Sequence, residues 1–320
     1  IFDKRWIQQE GITQVIEEAW KLEVEGSRMY KVTRKISNCR VALLKWKNSF
    51  RHNSRKEINN IKAAMERLKE APEFNRRTMN DLKTQLKRAY AKEEVYWSQK
   101  SRVTWLKEGD KNSQFFHANA KGGVKRNRIS NVQREDGSWT SNEKELGEEV
   151  ARYYQYLFDS QGTEGIEDVL RGIPTTISDQ MNVNLTRIVT EAEIKSALFS
   201  MHPNKAPGPD GMTPLFFQKF WSVIRSDIVP AIQSFFHSGF MLKSLNHTVV
   251  SLIPKVDMPF NLKDYRPISL CNVLYKIISK VLANRLKYNL DCCISKNQAA
   301  FVPGRQILDN VIVSHEYLHY

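Results

Sequence analysis

Residues 202–211 carry three prolines and two glycines, a composition that no regular element can run through. Proline fixes the backbone angle φ and glycine accepts positive φ, so the chain must turn here. Thr190 and Glu193 have the spacing of a capping box and predict a helix to about Met201. Pro214 fits the first turn of a second helix, predicted to run through Ile224. The sequence therefore predicts a stiff loop between two helices, which is either a functional part or an ordinary connection.

Two short apolar segments after this loop predict a β-hairpin. Residues 249–255 and 265–271 have the composition of strands, and turn-forming residues separate them. Residues 275–286 have the periodicity of an amphipathic helix, and a last helix is predicted from residue 306 to about 320. Further upstream, Thr140 and Glu143 predict a second capping box, and residues 162–178 a polar, irregular connection.

The positive charge is concentrated in the first 130 residues, where 30 Lys and Arg accompany 15 Asp and Glu. The whole chain has a net charge of +14, so the rest is nearly neutral. Residues 26–56 contain no acidic residue, which predicts binding to a polyanion such as nucleic acid. Tyr30, Trp46 and Phe50 either stack on bases or pack inward. The predicted basic patch consists of Lys31, Arg34, Lys35, Arg40, Lys45, Lys47, Arg51, Arg55, Lys121, Lys125, Arg126 and Arg128.

Five motifs, in this order, resemble the fingers part of reverse transcriptases, and most closely those of plant LINE-type (non-LTR) retrotransposons. They are N-K-A-P-G-P-D-G at 204–211, I-P-K at 253–255, Y-R-P-I-S-L at 265–270, A-N-R-L at 283–286 and Q-x-x-F-x-x-G-R at 298–305. The resemblance implies that the chain covers the linker after an endonuclease and the fingers, and ends before the catalytic palm motifs.

The expected fold is α+β and mostly α-helical, with long basic N-terminal helices followed by a partial reverse-transcriptase fingers subdomain that contains the β-hairpin. Three parts are expected. Residues 1–120 form a basic helical linker or arm, residues 121–177 a hairpin, a helix and an irregular connection, and residues 178–320 a partial reverse transcriptase domain.

The resemblance also implies roles for single residues. Lys255 and Arg266 would contact the triphosphate of the incoming nucleotide, since a guanidinium stays charged and can grip phosphate oxygens in pairs. The alternative is that each pairs with Asp257 or Asp264 as a surface ion. Phe301 fits a core position equally well. The template- and primer-binding residues implied by the resemblance are Asn204, Lys205, Gly208, Asp210, Gln298, Phe301 and Arg305.

Nucleotide addition needs two metal ions held by palm carboxylates. The sequence contains no Asp-Asp dipeptide, so no catalytic residue and no metal ligand is assigned, and this chain is expected to be inactive. Mg²⁺ would serve the full-length family enzyme. The expected function is that of a fragment of an RNA-directed DNA polymerase; the alternatives are a non-catalytic nucleic-acid-binding protein and a helical protein-interaction module. The expected partners are an RNA template and a DNA primer, with a deoxynucleoside triphosphate only when a palm is present.

The remaining expectations concern compartment and thiols. No run of about 18 apolar residues is present, so no membrane contact is expected, and the predicted localisation is the nucleus or the cytoplasm. The four cysteines show no Cys-x-x-Cys spacing. The adjacent Cys292 and Cys293 are predicted to remain reduced, structural thiols.

Overall fold

The computed structural model describes residues 1–49, 54–70, 72, 75–101, 122–123, 127–160, 162–295, 298–299, 302 and 304–319. The architecture is the predicted one, α+β and mostly helical. No helix in these ranges combines the length and the apolar character needed to cross a membrane. The elements are α1 (Ile12–Lys21), α2 (Arg28–Ser49), α3 (Ser54–Glu70), α4 (Arg76–Ser101), α5 (Glu143–Phe158), α6 (Ile166–Arg171), α7 (Asp179–Thr186), α8 (Glu191–Phe199), α9 (Pro214–Lys219), α10 (Trp221–Ser238), α11 (Lys243–Asn246), β1 (Val249–Pro254), β2 (Tyr265–Leu270), α12 (Val273–Lys287), α13 (Leu290–Cys293) and α14 (Ile307–His319).

Of four local predictions, one is confirmed as made and three are modified by the structure. The Thr190–Glu193 capping box is present at the start of α8. The helix predicted from Pro214 is divided at Phe220 into α9 and α10. The cap of α5 is Asn142, because the hydroxyl of Thr140 is occupied as an acceptor for the Val132 N–H (3.0 Å). The connection at residues 162–178 contains the short helix α6.

One hydrophobic core joins the start of the chain to the region after residue 189. Ile16 of α1 and Leu43 of α2 lie in the same cluster as Ile194 of α8, Ile228 of α10 and Ile277 of α12. Each of these side chains is buried, and burial of one such side chain contributes about 1.5–3 kcal/mol. The first 46 residues, which belong to the helical linker or arm expected over residues 1–120, thus share a core with the helices that follow residue 189.

α3 and α4 form a helical pair with a smaller core of their own. Ile58 and Ile61 of α3 pack with Ala89 of α4. The end of α4 is joined to the first residues of the chain through one side chain. The Gln99 amide nitrogen donates to the Phe2 carbonyl (2.8 Å), and the Gln99 amide oxygen accepts from the Lys4 N–H (2.9 Å).

β1 and β2 form a two-stranded antiparallel sheet in which Val249 lies opposite Leu270. One face of this hairpin is packed, since Leu252 and Tyr265 contact Val132 in a third apolar cluster. Side chains alternate between the two faces of a strand, so the packed face determines which residues point away from it. The opposite face is the first part of the candidate site.

Candidate nucleotide and nucleic-acid interface

The open face of the hairpin carries both cations of the predicted nucleotide site. Arg266 lies opposite Ile253, and residues that face each other in a ladder share one face of the sheet. Lys255 directly follows the end of β1, and its N–H donates to the Asp264 carbonyl (2.7 Å). This bond continues the ladder by one more pair, so alternation places Lys255 on the face of Ile253. Both side chains are exposed. The hairpin therefore presents two positive charges on the side opposite its apolar cluster.

The nearby carboxylates do not neutralise these charges. Within the described ranges, neither Asp257 nor Asp264 forms an ion pair with Lys255 or Arg266. The Asp264 carboxylate instead accepts from the Phe260 and Asn261 N–H groups (3.1 Å each), and these bonds, assisted weakly by Lys255, lower its pKa. The Lys255 ammonium donates to the Lys263 carbonyl (2.5 Å) and forms no ion pair with a described carboxylate.

The Pro-Gly loop is packed tightly against the start of α12. A Cβ atom at Gly208 would lie 2.4 Å from Asn272 Oδ1, so only glycine allows this approach. The Asp210 carboxylate accepts from the Met212 N–H (3.0 Å), and the Lys276 ammonium donates to a carbonyl of the loop (2.6 Å). Gly208 and Asp210, two of the residues expected to contact the template, are thus engaged in contacts within the protein.

Burial raises the pKa of the Asp210 carboxyl to about 6, although hydrogen bonding and the charges of Lys276 and Arg40 act in the opposite direction. Lys205, in the same loop, is exposed and remains available for a phosphate contact. Asn204 is half-buried, and its Oδ1 has no hydrogen-bond partner among the described residues.

Arg305, one of the residues expected to contact the template, is held by hydrogen bonds inside its own segment. Its guanidinium donates to the carbonyls of Ser295 (2.6 Å) and Gln298 (2.9 Å) and to the Asp291 carboxylate (3.1 Å). A guanidinium that closes a loop in this way has few donors left for phosphate. Gln298 is exposed, whereas Phe301 lies outside the described residues.

The solvent face of α2 is the second part of the candidate site. Arg34, Arg40, Lys45 and Lys47 are exposed there, and no described carboxylate forms an ion pair with them. α2 contains no acidic residue, so this face attracts polyanions along its length. Lys31 is half-buried, Arg128 is exposed and Arg55 belongs to α3. Outside the described residues lie Arg51, Lys121, Lys125 and Arg126.

Lys35 is a correction to the predicted basic patch. Its ammonium pairs with the Asp227 carboxylate of α10 (3.0 Å), and the Lys35 side chain is only 15% exposed. Asp227 also accepts from the Trp20 indole N–H (2.8 Å). Lys35 therefore joins α2 to α10, and its position among basic neighbours gave no indication of that partner.

A buried arginine that the sequence reasoning did not single out organises the other side of the core. The Arg285 guanidinium donates to both oxygens of Glu193 (2.9 and 3.2 Å) and to the carbonyls of Leu185, Arg187 and Ile188. Hydrogen bonds from Arg285 and Thr190 lower the pKa of Glu193 to about 2, even though burial opposes the shift. Arg285 falls on the apolar stripe of α12, and a charged residue on such a stripe is the sequence feature that indicates its burial.

Comparison with known proteins agrees with the motifs. Residues 253–319 match the family model described as reverse transcriptase (RNA-dependent DNA polymerase). Over 223 residues, or 69% of this chain, the sequence is 34% identical to the Transposon TX1 uncharacterized 149 kDa protein of Xenopus laevis. Over 149 residues, or 44% of this chain, it is 28% identical to the Retrovirus-related Pol polyprotein from type-2 retrotransposable element R2DM of Drosophila melanogaster.

The aligned regions span only 17% and 13% of the lengths of these two relatives. The matched family region begins in β1 and ends in α14, so it includes the hairpin with Lys255 and Arg266. The chain thus contains a reverse transcriptase region and is homologous to proteins of non-LTR retrotransposons.

Proposed function

We propose that this chain is part of the RNA-directed DNA polymerase of a plant LINE-type retrotransposon and supplies its fingers subdomain. The observation that carries the proposal is the exposed pair of Lys255 and Arg266 on the open face of the hairpin, neither of which forms an ion pair with a described carboxylate. It lies inside the region that matches the reverse transcriptase family. In this function the pair contacts the triphosphate of a deoxynucleotide, and an RNA template and a DNA primer occupy the neighbouring surface.

The described residues do not fit a magnesium site, since no group of three potential metal ligands is found among them. We therefore derive no metal-dependent step from this chain. In the proposed function, Mg²⁺ is held by carboxylates of a palm outside these 320 residues, in keeping with the much greater length of the relatives. This chain contributes the positioning of phosphates by charge and hydrogen bonds.

The second element of the proposal is the α2 face, which we assign to the phosphate backbone of the nucleic acid. Each neutralised phosphate releases counterions, so log K falls with log salt by about 0.7 per contact for a single strand. Replacing Arg34, Arg40 and Lys45 together by glutamine should therefore reduce that slope by about 2. The measurement is fluorescence anisotropy of a labelled RNA titrated with the 320-residue chain at several salt concentrations.

A matched control removes the same charge from the nearly neutral part of the chain. It replaces three exposed lysines by glutamine: Lys219, Lys243 and Lys287. The control should leave the slope nearly unchanged. An equal reduction in both variants would show that net charge alone attracts the RNA, and the assignment of the α2 face would be abandoned.

The nucleotide contact is tested in a form of the protein extended to include a palm. Arg266→Ala should raise the KM for deoxynucleotide about 30-fold, since loss of a charge-assisted phosphate contact costs about 2 kcal/mol. Arg266→Lys should restore only part of the wild-type KM, because an ammonium cannot form the bidentate contact of a guanidinium with phosphate. Lys263→Ala is the control, as this exposed lysine lies in the same hairpin turn. Equal KM values for the two alanine variants would refute the proposed role.

A further inference from the structure

Two adjacent cysteines lie on the surface at the short helix α13. Cys292 and Cys293 are both exposed, in contrast to the buried Cys39, so the expectation of structural thiols does not hold for this pair. Their sulfur atoms are 3.8 Å apart. The Cys292 thiol donates to the Asn289 carbonyl (3.0 Å), and the Thr176 hydroxyl donates to the Cys293 sulfur (3.7 Å). Polar contacts thus hold both sulfurs next to each other and next to solvent.

The separation of the sulfurs suits a single bridging atom. A thiolate bond to a soft metal is about 2.3 Å long, so one atom with tetrahedral angles bridges sulfurs about 3.8 Å apart. The described residues offer no group of three metal ligands around this position. A metal that needs four protein ligands is therefore not supported here. The pair suits a thiophilic centre that takes two sulfurs and brings its own third substituent.

We propose that Cys292 and Cys293 form a dithiol site for thiophilic trivalent arsenicals of the type R–As=O. Each sulfur forms one bond to arsenic, the arsenic–oxygen bond breaks, and the two thiol protons leave with that oxygen as water. The arsenic keeps its substituent and its oxidation state, so no oxidant or reductant is consumed. The product is a ring that contains arsenic, the two sulfurs and the peptide segment between the two residues.

The surroundings favour this ligand over direct oxidation of the thiols. Desolvation and the neighbouring Cys293 raise the pKa of the Cys292 thiol, and a protonated thiol reacts slowly with peroxide. Condensation with an arsenical oxide consumes both thiol protons as water, so the protonated pair supplies what the released oxygen needs. Asp291 lies on the same helix, and its carboxylate accepts a hydrogen bond from the Arg305 guanidinium (3.1 Å). This contact attaches the helix that carries the two cysteines to the segment of Arg305.

The test uses phenylarsine oxide and the full 320-residue chain. Equilibrium dialysis with arsenic quantification should give one arsenic per chain, and intact-protein mass spectrometry should show one phenylarsenic group gained with two hydrogens lost. Excess 2,3-dimercaptopropanol should remove the group, whereas a monothiol should not. Cys292→Ser and Cys293→Ser should each weaken binding of the arsenical by about 10²-fold or more. In the wild-type chain the second sulfur–arsenic bond forms within one molecule at a high effective concentration, and each variant loses that bond.

Cys271→Ser is the matched control, since it removes one partly accessible thiol and keeps the adjacent pair. It should leave the arsenical affinity unchanged. Both cysteines are exposed, so serine at either position should preserve the fold, and circular dichroism verifies this for each variant. If one serine variant fails to fold, the other carries the same comparison. The proposal would be overturned if the wild-type chain bound phenylarsine oxide no more tightly than Cys292→Ser and Cys293→Ser do. It would also be overturned if Cys271→Ser lost as much arsenical affinity as those two variants.

Discussion

Replacement of Arg285 by methionine should destabilise the core more than any surface ion-pair mutation in this protein. Methionine keeps much of the apolar stem but removes the guanidinium that binds Glu193 and three backbone carbonyls. The Arg285 side chain is 8% exposed and that of Glu193 is 21% exposed, so water replaces the lost partners poorly. The Glu193 charge would be left without its main counterpart.

Two arguments give the magnitude. Removing one partner of a buried ion pair typically costs about 3–5 kcal/mol. The change in the Glu193 pKa from 4.5 to about 2 corresponds to about 3 kcal/mol between the folded and unfolded states. This total includes the hydrogen bonds from Thr190, so it is an upper bound on the electrostatic share of Arg285. Glu193 retains some exposure, so the lower end, about 3 kcal/mol, is expected. Because the folded pKa is lowered, this stabilisation is present above pH 4.5 and is lost as the pH falls toward 2.

Urea unfolding at pH 7, followed by circular dichroism, measures the free energy of unfolding. Arg225→Met is a matched control, because Arg225 pairs with Glu191 in the same first turn of α8 but both side chains are about half exposed. The control should cost less than about 1 kcal/mol. The Arg285→Met variant should also lose less stability than wild type between pH 4.5 and 2. Equal losses in the two variants at pH 7 would refute the reasoning.

Three further predictions concern the loop and the activity. Gly208→Ala should lower the free energy of unfolding by about 1–3 kcal/mol, because the new Cβ would lie 2.4 Å from Asn272 Oδ1. Gly147→Ala in α5 is the control: open space surrounds Gly147, so the same urea assay should show no loss of stability or a gain. The raised pKa of Asp210 predicts that the contribution of this carboxyl to stability falls by up to about 3 kcal/mol as the pH rises from 3.8 to about 6. Asp210→Asn should therefore lose less stability than the wild type over this range, and the same dependence of stability on pH in both proteins would contradict the assignment. The 320-residue chain should extend no primer with Mg²⁺ or Mn²⁺, and incorporation that follows the protein through purification would contradict this expectation.

Local chemistry made much of the fold predictable. The Thr190–Glu193 box, the hairpin and the stripes of α3 and α4 depend on residues a few positions apart, and the sequence displays those spacings directly. The same holds for the open face of the hairpin, because alternation along two strands places Lys255 and Arg266 together once the pairing is known. The order of five motifs indicated the family before any contact was seen.

The partner of each charged side chain was decided only by the tertiary structure. Arg34 and Lys35 are neighbours in one basic run, yet Arg34 is exposed while Lys35 pairs with Asp227, 192 residues away. Arg305 belongs to a motif expected to face the template, but carbonyls of its own loop bind it. A charge stays in water unless the fold brings a partner close enough to repay its desolvation, and that depends on how distant helices pack. The sequence therefore determined where helices, strands and positive charges occur, and the packing of α2 and α12 against the other helices determined which of those charges remain free to bind.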